Sequence, residues 1–377
     1  MQMAPSPVQV HVFTDAPEAV FIKQFPGATP ELEGFRFTFG PTVPDAIDVL
    51  IVFNRASYTL ATRLPVARTA FIAAEPEVIH PYSERYLDQF GIVVSATGKP
   101  LSTQQWKTAP NWYWFAGIDF SKPWELEYMK GYDAFAALKV PPKRDKISVV
   151  TSNKVFTDYH RKRVTFLDAI IDKIPDHLEI FGRGYRSVDD KAEALLPCKY
   201  HIALENCDGD DTWTEKLADP LLCWAFPFYA GCTNVEAYFP NDSFSYLDLN
   251  NPDQMAQDMV AAVQNDLWGR SLKAIATARD RLLSEHSLAF QLLRLAMSAH
   301  QSPAPDPAAP MRHIWSEKSL WPESGARGNL ADWTLRNTLM TFDKGIELKT
   351  LGLRRKLEAA RSRRRKRKLA RLEKGAP

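Results

Sequence analysis

The chain of 377 residues is too long for one ordinary hydrophobic core, and a prior of about 150 residues per domain predicts two domains. Its hydrophobic content of 45% and charged content of 24% are typical of a globular protein, and no run approaches the ~18–20 apolar residues of a transmembrane helix. The net charge of +2 is unevenly spread, because residues 349–374 hold 13 Lys and Arg against 2 acidic residues, a net +11, which leaves −9 on the rest of the chain.

The first third of the chain alternates short apolar runs with turn residues. Residues 1–15 lack a basic stretch before an apolar core, so we expect no signal peptide. Several runs are apolar on both faces, as buried parallel strands are, and residues 80–90 suit a helix between two of them. The predicted strands are 8–15, 35–40, 48–54, 68–75 and 91–97. This alternation predicts an open α/β sheet.

A polar segment with two prolines, residues 138–146, is the predicted linker to a second α/β series. The predicted elements of this series are strands at 146–152, 178–182, 199–206, 226–231 and 243–249, and helices at 158–173, from Thr214, at 251–266 and at 267–300 as one helix or a pair. The predicted domains are 1–138, 146–300, a Pro-rich linker with an irregular Trp-rich segment at 301–348, and a basic helical tail at 349–377. Ligands of such sheets bind beyond the carboxyl ends of the strands, so polar residues there are the candidates for function.

Charged residues collect where the strand 199–206 gives way to a helix. Glu205 and Asn206 end the strand, and Thr214 suits the N-cap of the helix. Lys216 follows in the first helical turn, where free backbone N–H groups and the helix dipole favour an anion such as a pyrophosphate. A glutamate there, Glu215, can accept hydrogen bonds from the vicinal hydroxyls of a ribose. The alternative is a capped helix with a charge pair on its surface.

Three basic residues, Arg161, Lys162 and Arg163, lie near the start of the helix predicted at 158–173. Cations are unfavourable near a helix N-terminus unless an anion also binds there. The cluster therefore indicates either a phosphate partner or a solvated basic face.

The loop after the strand contains Asp208 and Asp210 in a D-x-D arrangement, a spacing by which some glycosyltransferases hold a divalent cation. A glycine within an acidic loop is more typical of a turn, so we expect no metal ion. The four cysteines show no metal-site spacing and are expected to be reduced thiols.

Glu75 ends an apolar strand in the first half of the chain. A carboxylate at the carboxyl end of a buried strand can have a raised pKa and serve as a general base, and the alternative is a glutamate in solvent. His80 lies on the following loop, where it could act either as a general base or as a structural residue.

Residues 199–249 resemble the inverting α-1,3/4-fucosyltransferases of glycosyltransferase family 10. The family pattern is a strand ending in Glu-Asn, a loop with Tyr-x-Thr-Glu-Lys, a helix, a strand with Pro and Gly, and then Phe-x-Pro-x-Ser-Phe. This chain matches it with LEN, TEK, FPFYAG and FPNDSF at 204–206, 214–216, 226–231 and 239–244. Weaker similarity at 151–163 and 74–76 extends the resemblance over most of residues 1–300.

The resemblance implies a GT-B fold, in which two Rossmann-like domains face a cleft, and a GDP-fucose donor held mainly by the second domain without a metal ion. Lys216 and Arg163 would neutralise the pyrophosphate. Glu215 would hold the ribose, and Glu205 and Asn206 would line the nucleotide-sugar site.

Glu75 would be the base that deprotonates a hydroxyl of the glycan acceptor as it attacks the anomeric carbon with inversion. One position departs from the pattern, because Thr212, with Trp213 beside it, stands where the family has Tyr. A GT-B transferase that uses another nucleotide-sugar is therefore an alternative. An alternative from a different class is a non-catalytic nucleotide- or nucleic-acid-binding protein.

The basic tail has three interpretations. An anionic membrane surface would contribute about 1 kcal/mol for each basic residue near the headgroups. For the second interpretation, nucleic-acid binding, the tail lacks aromatic residues that could stack on bases, so no specific nucleic acid is expected. The third interpretation is a solvated or oligomerising arm. Bacterial fucosyltransferases resemble this chain in their basic amphipathic tails. The resemblance implies a cytoplasmic enzyme, peripheral at the inner face of the cytoplasmic membrane, in surface polysaccharide or lipopolysaccharide synthesis.

Overall fold

The structure, a computed structural model, describes residues 6–96, 100–151, 157–182, 184–320 and 330–342. Within these residues the chain forms two large β-sheets whose strands are almost all parallel. The predicted α/β fold with two sheets is thereby confirmed. The basic tail predicted at 349–377 lies outside the described residues.

Within the described residues the first half of the chain builds a sheet of seven strands in the order β2-β3-β1-β4-β6-β7-β8. The strands of this half are β1 (Val8–Phe13), β2 (Glu31–Leu32), β3 (Phe35–Gly40), β4 (Val49–Phe53), β5 (Leu60–Thr62), β6 (Thr69–Ile72), β7 (Ile92–Ser95) and β8 (Gln104–Lys107), and the helices are α1 (Ala19–Ile22), α2 (Glu84–Leu87) and α3 (Tyr132–Ala136). All neighbours in the sheet are parallel except β2 and β3. Strand β4 is buried along its length, as its unbroken apolar run requires.

The second half, within the same described residues, builds a five-stranded parallel sheet in the order β10-β9-β11-β12-β13. Its strands are β9 (Arg144–Thr151), β10 (Leu178–Gly182), β11 (Cys198–Gly209), β12 (Phe226–Cys232) and β13 (Ser245–Tyr246), and its helices are α4 (Asp158–Lys173), α5 (Ala192–Leu195), α6 (Glu215–Leu222), α7 (Pro252–Gln264) and α8 (Leu267–Ser284). Because all strands run the same way, their carboxyl ends meet at one edge of the sheet.

The next helix, α9 (Leu288–His300), returns to the first sheet. Its buried residues Leu288, Leu292 and Leu295 share a core with Ile51 of β4. The sequence prediction had grouped this helix with the second domain, since an apolar stripe at helical spacing does not reveal which sheet will cover it.

The segment after the Pro-rich linker was expected to be irregular, but it contains strand β14 (Arg312–Ile314) and helix α10 (Leu330–Phe342). Strand β14 pairs antiparallel with β5, and Ile314 and Leu320 join the core on one side of the first sheet. The partner strand lies far earlier in the chain, so no local sequence pattern predicts this pairing. None of the helices among the described residues has the length and apolar composition that crossing a membrane requires.

Candidate active site

Residues from both halves of the chain line a cleft of about 780 Å³. From the second sheet, Thr151 and Gly182 at the ends of β9 and β10 line the cleft, and so does Leu204 within β11. The first half contributes Glu75, Ile79, Phe115 and Phe120. A cleft beyond the carboxyl ends of parallel strands is the usual ligand site of this kind of sheet.

The floor of the cleft is built on Glu205, whose side chain is only 1% exposed. Its carboxylate accepts hydrogen bonds from the Thr214 backbone N–H at 2.8 Å and from the Thr214 hydroxyl at 2.7 Å. Gly231 has φ +150° and leaves room for this carboxylate, because a Cβ there would lie 2.4 Å from the Cβ of Glu205. Glu205 was predicted to line the nucleotide-sugar site, but the structure places it beneath the cleft, where it holds the start of α6.

The first turn of α6 presents Glu215 and Lys216 to the cleft. The Lys216 ammonium lies 3.0 Å from Glu215 Oε1 and 3.5 Å from Glu205 Oε2. Burial alone would lower the pKa of Lys216, but these two carboxylates outweigh it and raise the pKa. Burial also opposes ionisation of Glu215, yet Lys216 and Lys191 hold its pKa below the ordinary value. The cleft therefore keeps an ionised pair at a helix N-terminus capped by Thr214.

Arg163 reaches the cleft from α4. Its Nη1 donates to the carbonyls of Leu204 at 3.2 Å and Glu205 at 3.3 Å, and to Asn206 Oδ1 at 2.9 Å. Both Arg163 and Asn206 line the cleft. Of the predicted basic cluster, Arg161 is exposed and pairs with Asp158. A single member of the cluster is thus buried in the cleft, as the 3.6-residue helical period requires.

Glu75 follows β6 and lines the cleft from the opposite side. Burial raises its pKa, while the nearby charges of Arg55 and Lys216 act in the other direction. The structure therefore brings Glu75 close enough to Lys216 for their charges to interact, although they come from different sheets. A carboxylate with a raised pKa, beside a cation-lined cleft, is suited to accept a proton.

His80 was the second candidate base, and the structure gives it a partner that the sequence did not reveal. Its Nε2 lies 2.8 Å from Glu317 Oε1, in the C-terminal segment, and its ring packs edge-on against Tyr82. This pair ties the loop after Glu75 to a segment 237 residues away, which no local pattern could predict.

The acidic loop shows no feature of a metal site. Asp208 is exposed, and Asp210 accepts a hydrogen bond from Thr233 Oγ1 at 2.5 Å. No group of three or more His, Cys, Asp or Glu side chains suited to a metal ion occurs in the part of the chain that the structure describes.

Thr212 and Trp213 lie beside Glu75, in a smaller pocket of about 40 Å³, and not in the cleft. Thr212 donates to the Gly209 carbonyl at 2.7 Å. Trp213 is 2% exposed and packs edge-on against Tyr238 and other rings of the second core. The indole is therefore part of the core and does not stand in the cleft in place of the missing tyrosine.

Sequence reasoning missed Lys191, which lines the cleft and pairs with Asp219 at 2.9 Å. The signal that could have found it is its place in the loop after β10, at the carboxyl edge of the sheet.

Comparison with known families finds a match in the part of the chain that carries α6. Residues 140–268 match the model of glycosyltransferase family 10 (fucosyltransferase), C-terminal part. This stretch contains Arg163, Glu205, Glu215 and Lys216, so every predicted donor-side residue falls inside the matched domain.

Individual relatives cover a similar stretch. The 4-galactosyl-N-acetylglucosaminide 3-alpha-L-fucosyltransferase 9 of Mus musculus is 28% identical over 134 residues, which are 34% of this chain and 36% of the mouse protein. A putative fucosyltransferase-like protein of Arabidopsis thaliana is 33% identical over 89 residues, 22% of this chain and 17% of the plant protein. The matched part thus spans about a third or less of these relatives.

Among solved structures, a crystal structure of an alpha1,3-fucosyltransferase with GDP-fucose is 15% identical. The match covers 81% of this chain and 93% of that chain, at a TM-score of 0.48.

Proposed function

We propose that this chain, whose residues 140–268 carry a glycosyltransferase family 10 domain, is an inverting α-1,3-fucosyltransferase. It would move L-fucose from GDP-fucose to a hydroxyl of a glycan acceptor. The observation that carries the proposal is the meeting of Glu75, from the first sheet, with Lys216 and Arg163, from the second, in one cleft. This arrangement supports a sugar lying between a base and an anion site.

The donor side of the cleft supports the departure of a diphosphate. Breaking the sugar–phosphate bond develops negative charge on the leaving group. Lys216 and Arg163 line the cleft together with the first turn of α6 and are suited to stabilise that charge. Because these charges are already fixed by buried partners, little reorganisation accompanies the reaction. The ionised Glu215 is suited to accept hydrogen bonds from the ribose hydroxyls.

The acceptor side supplies the base. As the acceptor hydroxyl attacks the anomeric carbon from the face opposite the diphosphate, Glu75 takes its proton, and the configuration inverts. Burial raises the pKa of Glu75 and so brings its basicity closer to that needed near neutral pH.

Turnover of GDP-fucose tests this function. The first acceptor to offer is a 4-galactosyl-N-acetylglucosaminide, since that is what the names of the mammalian relatives specify. Lys216→Ala should abolish GDP release, whereas Lys173→Ala, at the far end of α4 beside Asp253, should leave it unchanged. Full activity of Lys216→Ala would refute the donor-site assignment.

A GT-B transferase with another nucleotide-sugar remains the second candidate, because Thr212 replaces the tyrosine of the family pattern. A thermal-shift screen of nucleotide-sugars, with and without EDTA, distinguishes the two. A ligand at 100 times its Kd should add about 2.7 kcal/mol to the free energy of unfolding. GDP-fucose should give the largest shift, and EDTA should not reduce it.

We further propose that the protein attaches to the inner face of the cytoplasmic membrane and acts in bacterial surface polysaccharide or lipopolysaccharide synthesis. The net charge of +11 over residues 349–374 supports attachment to anionic lipid. Helix α10, which precedes this tail, exposes Leu335, Leu339 and Phe342 at helical spacing on one side. An apolar face next to a basic segment is suited to the lipid surface.

A further inference from the structure

Lys191 occupies a position in the cleft that the proposed chemistry has not used. It follows β10, lines the same cleft as Lys216 and Arg163, and has a side chain only 11% exposed. Its ammonium lies 2.9 Å from Asp219, one helical turn after Glu215 on α6, and its charge helps to hold the pKa of Glu215 below the ordinary value. Lys191 therefore approaches the start of α6 from the β10 edge of the cleft.

Within the described residues, the Lys191 ammonium has N–H donors without a protein acceptor, whereas the three donors of the Lys216 ammonium are all engaged. The Lys216 ammonium is shared between Thr214 Oγ1, Glu215 Oε1 and Glu205 Oε2. Among the described residues the Lys191 ammonium has one hydrogen-bond partner, Asp219 Oδ2 at 2.9 Å. An ammonium group carries three N–H donors, so Lys191 can bind an anion without giving up its protein partner.

Asp219 fixes Lys191 in this position. It lies on α6 one helical turn after Glu215 and is fully buried, and its Oδ1 has no hydrogen-bond partner within the described residues. A buried carboxylate of this kind needs a cation beside it, and in the part of the chain that the structure describes Lys191 is the one that pairs with it. The pair therefore holds an ammonium group at the cleft wall.

We propose that Lys191 is a third cationic residue of the donor site and contacts the diphosphate of the nucleotide-sugar together with Lys216 and Arg163. The inference rests on the proposed function, because it takes a nucleoside diphosphate as the ligand. Each phosphate of that ligand is negatively charged. The cleft cations Lys216 and Arg163 are already engaged with carboxylate, amide or carbonyl oxygens, so a cation with free donors adds binding that they do not supply.

Calorimetric titration of the full chain with GDP and with GMP tests the proposal. In Lys191→Met the affinity for GDP should fall about tenfold, whereas that for GMP should change by less than about threefold, because GMP lacks the second phosphate. A general structural effect would weaken both nucleotides equally. Lys199→Met is the matched control, since Lys199 also pairs with carboxylates, of Asp145 and Asp266, but does not line the cleft.

Two further outcomes keep the inference separate from the function. If the wild type binds neither nucleotide, the proposed function fails and the inference fails with it. If the wild type prefers GDP and Lys191→Met keeps that preference, the inference alone is overturned. Should Lys191→Met not fold because Asp219 is left unpaired, the double variant Lys191→Met/Asp219→Asn removes both charges and is judged by the same ratio.

Discussion

Three glutamates around the cleft are buried or half-buried, yet their pKa values shift in different directions. Burial raises the pKa of Glu75 and of Glu205. Glu215 has a lowered pKa, because Lys216 and Lys191 outweigh the effect of burial. In the proposed function, Glu75 would act as the base and Glu215 as an ionised acceptor of hydroxyl hydrogen bonds, while Glu205 holds the cap of α6, although all three are the same residue type.

The role of Glu75 is tested by Glu75→Gln, which keeps the shape of the side chain and removes its basicity. We expect kcat to fall about 100-fold or more, as for loss of a general base, while the Kd for GDP stays unchanged. Steady-state kinetics and calorimetry measure the two quantities. Loss of GDP binding together with transfer would instead show that Glu75 holds the cleft in shape.

The pH profile of the wild type gives an independent test of the same residue. A base acts in its deprotonated form, so kcat should rise with pH through the pKa of Glu75. Since burial raises that pKa, the midpoint of the acidic limb should lie above the value of an exposed glutamate. A midpoint at or below that value would contradict the assignment.

At the scale of elements, the site depends on how α6 begins. Thr214 caps the helix by accepting from the Lys216 N–H, and Glu205 holds Thr214 from below. Strand β11, the cap and the first turn of α6 therefore form one unit.

Thr214→Ala should lower the free energy of unfolding by about 1 kcal/mol, the usual cost of a lost N-cap, and should also weaken GDP binding. Ser287→Ala is the matched control, because Ser287 caps α9 away from the cleft by accepting from the Phe290 N–H. Chemical denaturation and calorimetry measure both effects. Equal GDP affinity in the two variants would show that the Thr214 cap does not contribute to GDP binding.

Elements with strong local signals were predicted well. The predicted helix 158–173 is α4, and the predicted strand 178–182 is β10. Of the basic cluster, local patterns are enough to favour Arg163, since helical spacing buries one side of α4. Local order, capping and periodicity are encoded within a few residues, which is why they can be read from one sequence.

Features that depend on distant contacts were not predictable in this way. Glu205 was expected in the cleft, but the pleat and Gly231 place its side chain beneath it. Lys191 acquires its position from Asp219 on another element, and His80 from Glu317. These pairings join residues whose separation in sequence carries no periodic signal.

At the scale of the whole molecule, the two sheets share one cleft, and the C-terminal residues reach back to the first sheet. Helix α9 completes the core of that sheet, and β14 pairs with β5. The chain therefore passes from the first sheet to the second and returns. Helix α10 contacts the first half of the molecule, because Met340 Sδ lies 3.9 Å from Thr59 Oγ1.

Removal of residues 349–377 tests the membrane proposal. The full chain should co-sediment with anionic vesicles at low salt, and less so as salt rises, because the attraction is screened. The shortened chain should stay in the supernatant and keep its activity on a soluble acceptor. Vesicle binding by the shortened chain would contradict the proposal. So would the finding that removal of the tail abolishes RNA or DNA binding and not vesicle binding.

The central claim is inverting fucosyl transfer across this cleft, and the configuration of the product tests it most directly. The full chain is incubated with GDP-fucose and a glycan acceptor, and the anomeric configuration of the transferred fucose is determined by proton NMR. We expect a configuration opposite to that of the donor, with transfer by Glu75→Gln slower by about 100-fold or more. A product of retained configuration, or full transfer by Glu75→Gln, would contradict it.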